Sequence, residues 1–178
     1  MDASTLQLCT GCSSAKAQEW LEPITAAMAA QGIGAPARAA AFLAQIGHES
    51  GGLVYTSEIW GPTVAQLRYE GRVDLGNTQP GDGSLFRGRG LIQITGRANY
   101  DKLGAALCWN CVANPEMVAE PNNAALSAAW WWVAHGLNPL ADKGNFLAIT
   151  KIINGGMNGY TQRLALWQSA KQALGVVS

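Results

Sequence analysis

The chain has 178 residues, 48% of them apolar, which is enough for one domain with a sizeable core and too little for two full ones. Lysine plus arginine and aspartate plus glutamate number 12 each, and charged residues make up only 13% of the chain. That balance offers no field for nucleic acid or an anionic membrane, and no stretch reaches the length of a membrane span.

In chain order, the opening MDASTLQLCTGCSS has neither a basic n-region nor a long apolar run, so it reads as a start without a secretory signal peptide. Ser13 or Ser14 caps a helix from about Ala15 to Gln31, with Trp20, Ile24, Ala27 and Met28 on one face. The loop QGIGAP leads to a second helix with Pro36 in its first turn, and Gly51 and Gly52 end it. Phe42, Ile46 and Glu49 fall at i, i+4 and i+7, so the carboxyl closes an apolar stripe. The negative end of the helix macrodipole and the apolar neighbours give Glu49 the setting of a proton donor. Glu58 follows after the extended run LVYTS. Two carboxyls flanking a glycosidic bond are the minimal equipment of a glycoside hydrolase, although spacing alone fits two surface charges better.

Residues 59–85 change in composition: a short helical piece around Thr63 to Tyr69, then loop chemistry through Gly76, Asn77 and Pro80 to Gly83. This is a long loop or small inserted lobe placed to contact substrate. In FRGRGLIQITGRANYDKLGAAL, the alternation of LIQIT predicts a short strand presenting Gln93 and Thr95 on one face. A helix follows from Thr95 or Gly96 to Leu107, with Asn99 and Tyr100 in its first turns. Asn122 or Asn123 caps the next helix, which runs to His135. Its three adjacent residues Trp130, Trp131 and Trp132 cannot share one face at about 100° per residue. His48 and His135 read as structural side chains. A helix ending at Asn154-Gly155-Gly156 and a last one from Thr161 or Gln162, with Leu164, Trp167 and Leu174 inward, complete the chain. Seven Trp and four Tyr suit a carbohydrate site and an aromatic core equally. The fold class is mainly α with little sheet.

Three motifs in this order, HESGG at 48–52, FRGRGLIQITGRANY at 86–100 and INGGMNG at 153–159, resemble the family 19 glycoside hydrolases. That family includes chitinases and the related endolysins of bacteriophages and prophages, and the short endolysins are the nearest likeness. The resemblance implies a lysozyme-like α+β fold, helical with a small β element and split by a substrate groove. It implies one catalytic domain over 1–178, with room for a small lobe at about 59–85. Glu49 matches the general acid and Glu58 the second glutamate, a general base, with Glu70 in reserve. Thr95 matches the hydroxyl that helps hold the attacking water. Gln93, Asn99 and Tyr100 fall among the substrate contacts, Asn154 matches a sugar-contacting amide, and Arg163 a buried charge supporting the cleft. The implied activity is hydrolysis of the glycan strands of bacterial peptidoglycan by two-carboxylate catalysis, with inversion and carboxyls roughly 6.5–9.5 Å apart. The alternatives are a chitinase acting on N-acetylglucosamine polymers, a non-catalytic glycan-binding protein, and a lytic transglycosylase. The expected partner is peptidoglycan or a related N-acetylated glycan, bound by a monomer without cofactor, nucleic acid or membrane insertion. The expected setting is synthesis in a bacterial host cytoplasm and action at the wall or periplasm after release.

Cys9, Cys12, Cys108 and Cys111 form two C-x-x-C pairs for which the resemblance gives no role. Free thiols are the first reading, and disulfides or a Cys₄ zinc site the alternatives. No metal is expected in the chemistry, because two carboxylates already supply the acid and base.

Overall fold

The structure, a computed structural model, describes residues 1–176. Its helices, in order, are α1 (Ala3–Thr10), α2 (Ser14–Ala30), α3 (Pro36–Glu49), α4 (Val64–Leu67), α5 (Asp82–Leu85), α6 (Arg97–Leu107), α7 (Pro121–Ala134), α8 (Leu137–Asp142), α9 (Phe146–Asn154) and α10 (Tyr160–Ala173). Short 3-10 turns at Val73–Leu75 and Pro115–Ala119 complete the set. This is the mainly helical, lysozyme-like architecture. No helix among the described residues is long and apolar enough to cross a membrane.

The main core is built around α3. Ala39 to Gly47 are all buried, and α10, α1 and α8 pack against this helix. The stripe on α2 is inward as its spacing predicts, with Trp20, Ile24, Ala27 and Met28 buried against α7. No helix is expected from the sequence before Ala15, yet α1 forms there: Asp2 accepts from the Thr5 amide at 2.8 Å, and Leu6 and Cys9 are buried. Its last residue crosses α3 at Gly47, where a Cβ would lie 2.4 Å from the Thr10 carbonyl oxygen. Only glycine fits there, which accounts for one in a helix interior. On α7, Trp132 is fully buried and meets Phe42 edge to face, whereas Trp130 and Trp131 are partly exposed and Trp131 stacks on His135. The α7 cap position is Glu120, followed by Pro121, rather than Asn122 or Asn123.

A second, smaller core of Phe86, Ile94, Tyr100, Leu103, Cys111 and Val118 lies under the 86–95 loop. There the LIQIT reading needs correction, because the segment is a tight loop and not a strand. The Arg89 and Ile94 amides exchange hydrogen bonds at 3.1 and 2.7 Å, and Gln93 between them has a left-handed φ of 58°. The β element reduces to isolated bridges, Ser57 with Arg89 and Arg89 with Ile94. The alternation comes from opposite ends of this loop packing on different cores, Leu91 in the main cluster and Ile94 in the smaller one.

Candidate active site

Glu49 is the last residue of α3, and the chain is turned there by Ser50, whose hydroxyl donates to the Ile46 carbonyl at 2.6 Å and accepts the Leu53 amide at 2.8 Å. The carboxyl is not left among apolar neighbours as the sequence suggests. Arg163 of α10 stands against it, with Nη2 2.5 Å from Oε1, an ion pair in close approach but without hydrogen-bond alignment. Arg163 is 1% exposed. Its Nη1 donates to Gln45 Oε1 at 2.6 Å and its Nε to the Asn158 carbonyl at 3.2 Å. Gln45 in turn donates to Thr150 Oγ1 at 2.8 Å, and Thr150 to the Phe146 carbonyl at 3.0 Å. Three helices, α3, α9 and α10, are thus tied together below one carboxyl. A buried guanidinium needs such partners, since each unsatisfied donor would carry its full desolvation cost. Burial, reinforced by Arg163 and opposed by Glu49, holds the neighbouring His48 imidazole below its usual pKa.

Asn154 ends α9 and accepts the Asn158 amide at 3.2 Å, which shapes the turn that leads to Arg163. This turn puts the INGGMNG motif beside the Glu49 network.

Glu58 belongs to different scaffolding. Residues 56–58 pair with 88–90: the Glu58 amide donates to the Gly88 carbonyl at 2.8 Å and the Gly90 amide to the Thr56 carbonyl at 2.9 Å. The Glu58 carboxylate accepts from Gln66 Nε2 at 3.0 Å, the Tyr69 hydroxyl at 3.4 Å and the Gly88 amide at 3.2 Å. Burial first, and then the Glu58 charge, push the Tyr69 phenol up. Gly88 also marks where Gln93 and Thr95 stand, since a Cβ there would lie 2.7 Å from Gln93 Oε1 and 3.2 Å from Thr95 Oγ1. Gln93 donates to the Gly90 carbonyl at 2.9 Å, Thr95 to the Gln93 carbonyl at 2.9 Å, and Asn99 to the Thr95 carbonyl at 2.7 Å. Glu58, Gln93, Thr95 and Asn99 therefore form one cluster.

Two candidates lie elsewhere. Tyr100 is 0% exposed and is corrected from a substrate contact to a support. Its hydroxyl donates to the Arg87 carbonyl and accepts from Arg89 Nη1, both at 2.8 Å, and burial pushes its pKa up to about 12. Glu70 is exposed, and both its oxygens are occupied, by the Gly81 amide at 2.7 Å and the Gly83 amide at 2.8 Å.

The residues that sequence reasoning misses are Gln45, Thr150, Gln66 and the inner charges below the 86–95 loop. Arg89 is 0% exposed and ion-paired with Glu116, while Asp82 is 1% exposed and ion-paired with Arg97, whose hydrogen bonds hold its carboxyl below the usual range. The arginines of FRGRG and TGRAN are a signal for them, but the carboxylates answering them stand fifteen and 27 residues away.

A depression of about 590 Å³ is lined by Gly11, His48, Gly52, Gln162 and Leu166 among others. Neither Glu49 nor Glu58 lines it, and it offers no acid–base pair. Among the described residues no group of three or more His, Cys, Asp or Glu side chains is placed to hold a metal. Cys9 and Cys12 pack in the main core and Cys111 in the smaller one, so the two C-x-x-C pairs do not build one four-thiol site.

Comparison with known proteins gives a consistent result. The profile of glycoside hydrolase family 19, described as chitinase class I, matches residues 24–141. A Haemophilus influenzae protein described as containing a glycosyl hydrolase family 19 domain is 34% identical over 160 residues, 73% of this chain and 76% of its own length. An Arabidopsis thaliana endochitinase is 38% identical over 117 residues, 66% of this chain but only 39% of that protein. Among solved structures, chitinase C from Streptomyces griseus superposes with a TM-score of 0.76 at 25% identity, covering 98% of this chain and 92% of that one. A mutant chitinase C gives a TM-score of 0.79 at 24% identity over 99% of this chain and 93% of that one, which speaks for the fold.

Proposed function

This chain belongs to glycoside hydrolase family 19, and we propose that it hydrolyses the glycan strands of bacterial peptidoglycan, with Glu49 as general acid and Glu58 as general base. The observation that carries this reading is the separate support of two carboxyls on either side of the 50–57 segment. Glu49 is held by Arg163 from the helical core, and Glu58 sits with Thr95 and Gln93 on the irregular loops. Glu49 protonates the leaving oxygen; Glu58 draws a proton from a water steadied by Thr95, which attacks the anomeric carbon from the opposite face and inverts it. Gln93, Asn99 and Asn154 contribute the amides that bind N-acetylated sugars. The enzyme works as a monomer, without a cofactor, at the cell wall after leaving the cytoplasm that made it. A second reading, hydrolysis of chitin, is favoured by the chitinases among its relatives.

One digestion separates these. Purified murein and colloidal chitin are incubated with the enzyme, and soluble products are analysed by mass and by anomeric configuration. The expected result is muropeptides with newly formed reducing ends of inverted configuration. Products from chitin alone would move the substrate to the second reading, an anhydro sugar would make the enzyme a transglycosylase, and binding without cleavage would leave a glycan-binding protein.

A further inference from the structure

The two oxygens of the Glu58 carboxylate are not equivalent, and the difference originates in Gln66. This side chain, on α4, is 6% exposed and uses its whole amide. Its Oε1 accepts the Thr63 amide at 2.8 Å and the Gly61 amide at 3.3 Å, while Nε2 donates to the Ile59 carbonyl at 2.8 Å and to Glu58 Oε1 at 3.0 Å. Reversing the amide would set N–H against N–H at Thr63 and Gly61 and oxygen against oxygen at Ile59. Three backbone groups therefore fix its orientation without reference to Glu58. A donor is aimed at Oε1 before any substrate arrives.

Oε1 also receives the Tyr69 hydroxyl at 3.4 Å, so both its lone pairs are engaged. Oε2 has one donor, the Gly88 amide at 3.2 Å, and keeps a lone pair. It is also the oxygen on the Gly88 side, where Gln93 and Thr95 crowd the place a Cβ would take. The Thr95 hydroxyl has given its hydrogen to the Gln93 carbonyl, so its oxygen can accept one from water.

We propose that Glu58 Oε2 is the atom that takes the proton of the attacking water, and that Gln66 is the positioning residue that assigns this task by holding Oε1. The inference rests on Glu58 being the base. In the step it describes, one O–H bond of the water breaks with its proton passing to Oε2, while the water oxygen bonds to the anomeric carbon. The bond from that carbon to the leaving sugar breaks, and the Glu49 proton goes to the departing oxygen. A carboxylate free to rotate would present either oxygen at varied angles; a clamped one presents one lone pair in one direction, the positional control that proton transfer to a base requires.

The test uses the full chain and whichever of murein and colloidal chitin the wild type digests. Gln66→Met keeps the bulk and removes the donor. It should lower kcat by about ten- to a hundredfold while KM stays within about twofold. Ala65→Gly weakens the same short helix without removing any side-chain contact of Gln66 or Glu58, so it serves as the structural control with kcat near wild type. Gln66→Glu sets a second carboxylate against Oε1, and like charge should move the acidic limb of the pH profile of kcat/KM upward by about one unit or more. The proposal is overturned if Gln66→Met keeps its kcat, if its loss only parallels a loss of Tm shared by Ala65→Gly, or if the Gln66→Glu profile overlays the wild type. Glu58→Gln is assayed beside them, and full activity there would remove the base assignment itself.

Discussion

The two carboxyls are held by opposite strategies. Glu49 depends on partners remote in sequence: Gln45 meets Arg163 across 118 positions and Thr150 across 105, with all three side chains buried. Glu58 takes its side-chain partners from near neighbours, Gln66 eight positions on and Tyr69 eleven, and has one distant backbone partner in Gly88, in a stretch that exposes Ile59, Val64, Leu67 and Val73. The Glu49 side is thus part of what keeps the chain folded, whereas the Glu58 side is a lighter device resting on that fold. Its opening would cost little global stability.

The sharpest way to break this comparison starts at the acid itself. Glu49→Gln keeps shape and removes the transferable proton, so activity should fall by about 10²–10⁴-fold with the far-ultraviolet spectrum near wild type, while Tm drops because buried Arg163 loses its counter-charge. Activity above about a tenth of wild type would sink the assignment. Next comes Arg163→Met, which strips Gln45, Glu49 and the Asn158 carbonyl of their shared partner inside the core. Breaking a buried pair from one side costs about 3–5 kcal/mol, and the urea midpoint should drop accordingly. Gln66→Met should leave that midpoint nearly in place; equal losses of stability at both positions would abolish the distinction between the two sides.

The same contrast explains what the sequence made legible. The stripe Trp20, Ile24, Ala27, Met28 and the placement of Glu49 at a helix end follow from local periodicity, and the structure has both. Gln45 and Gln66 carry no such signal, because a glutamine inside a helix is ordinary until its partners are known. Tyr100 differs from Asn99 although it follows it directly: one residue along a helix turns the side chain by about 100°, so Asn99 meets the Thr95 carbonyl while Tyr100 points into the smaller core. LIQIT alternates because its loop straddles two cores, a pattern that period alone does not separate from a strand. The helix α1 is only about two turns long, so its periodicity is faint. It holds through Leu6, Cys9 and the crossing at Gly47.

A smaller effect is expected at Glu70. Its carboxylate gathers the Gly81 and Gly83 amides and so closes the lobe on itself. Glu70→Gln should reduce hydrogen-exchange protection at those two amides, since one oxygen of the pair becomes a donor that repels an N–H. Hydrolysis should stay within about threefold of wild type, as for most exposed substitutions away from the chemistry. A loss as deep as that of Glu58→Gln would transfer the role of base to Glu70 and with it relocate the attacking water.

The smallest effect should come from the thiols, which belong to neither carboxyl. Cys108 is exposed, whereas Cys9, Cys12 and Cys111 are buried. Burial pushes the Cys9 thiol up to about 11 and raises Cys111 as well, whose Sγ also donates to the Tyr100 carbonyl at 2.9 Å. The thiolate is the reactive form, so at pH 8 Cys9 would have roughly one part in 10³ ionised even if a reagent could reach it. An aromatic disulfide reagent should therefore label one thiol per native chain quickly, at Cys108, and the other three only as the chain unfolds. Blocking that thiol should leave hydrolysis unchanged, because the 108–111 turn contributes no side chain to either carboxyl cluster. EDTA should be equally without effect on rate and on Tm. Three buried thiols divided between two separate cores, with Cys108 exposed, offer no tetrahedral site, and the proposed proton transfers use the two glutamates alone. Loss of activity on chelation, restored by zinc alone, would mean that the cysteines meet in a way this packing does not allow, and would overturn the metal-free reading of the chemistry together with the separation of the two cores.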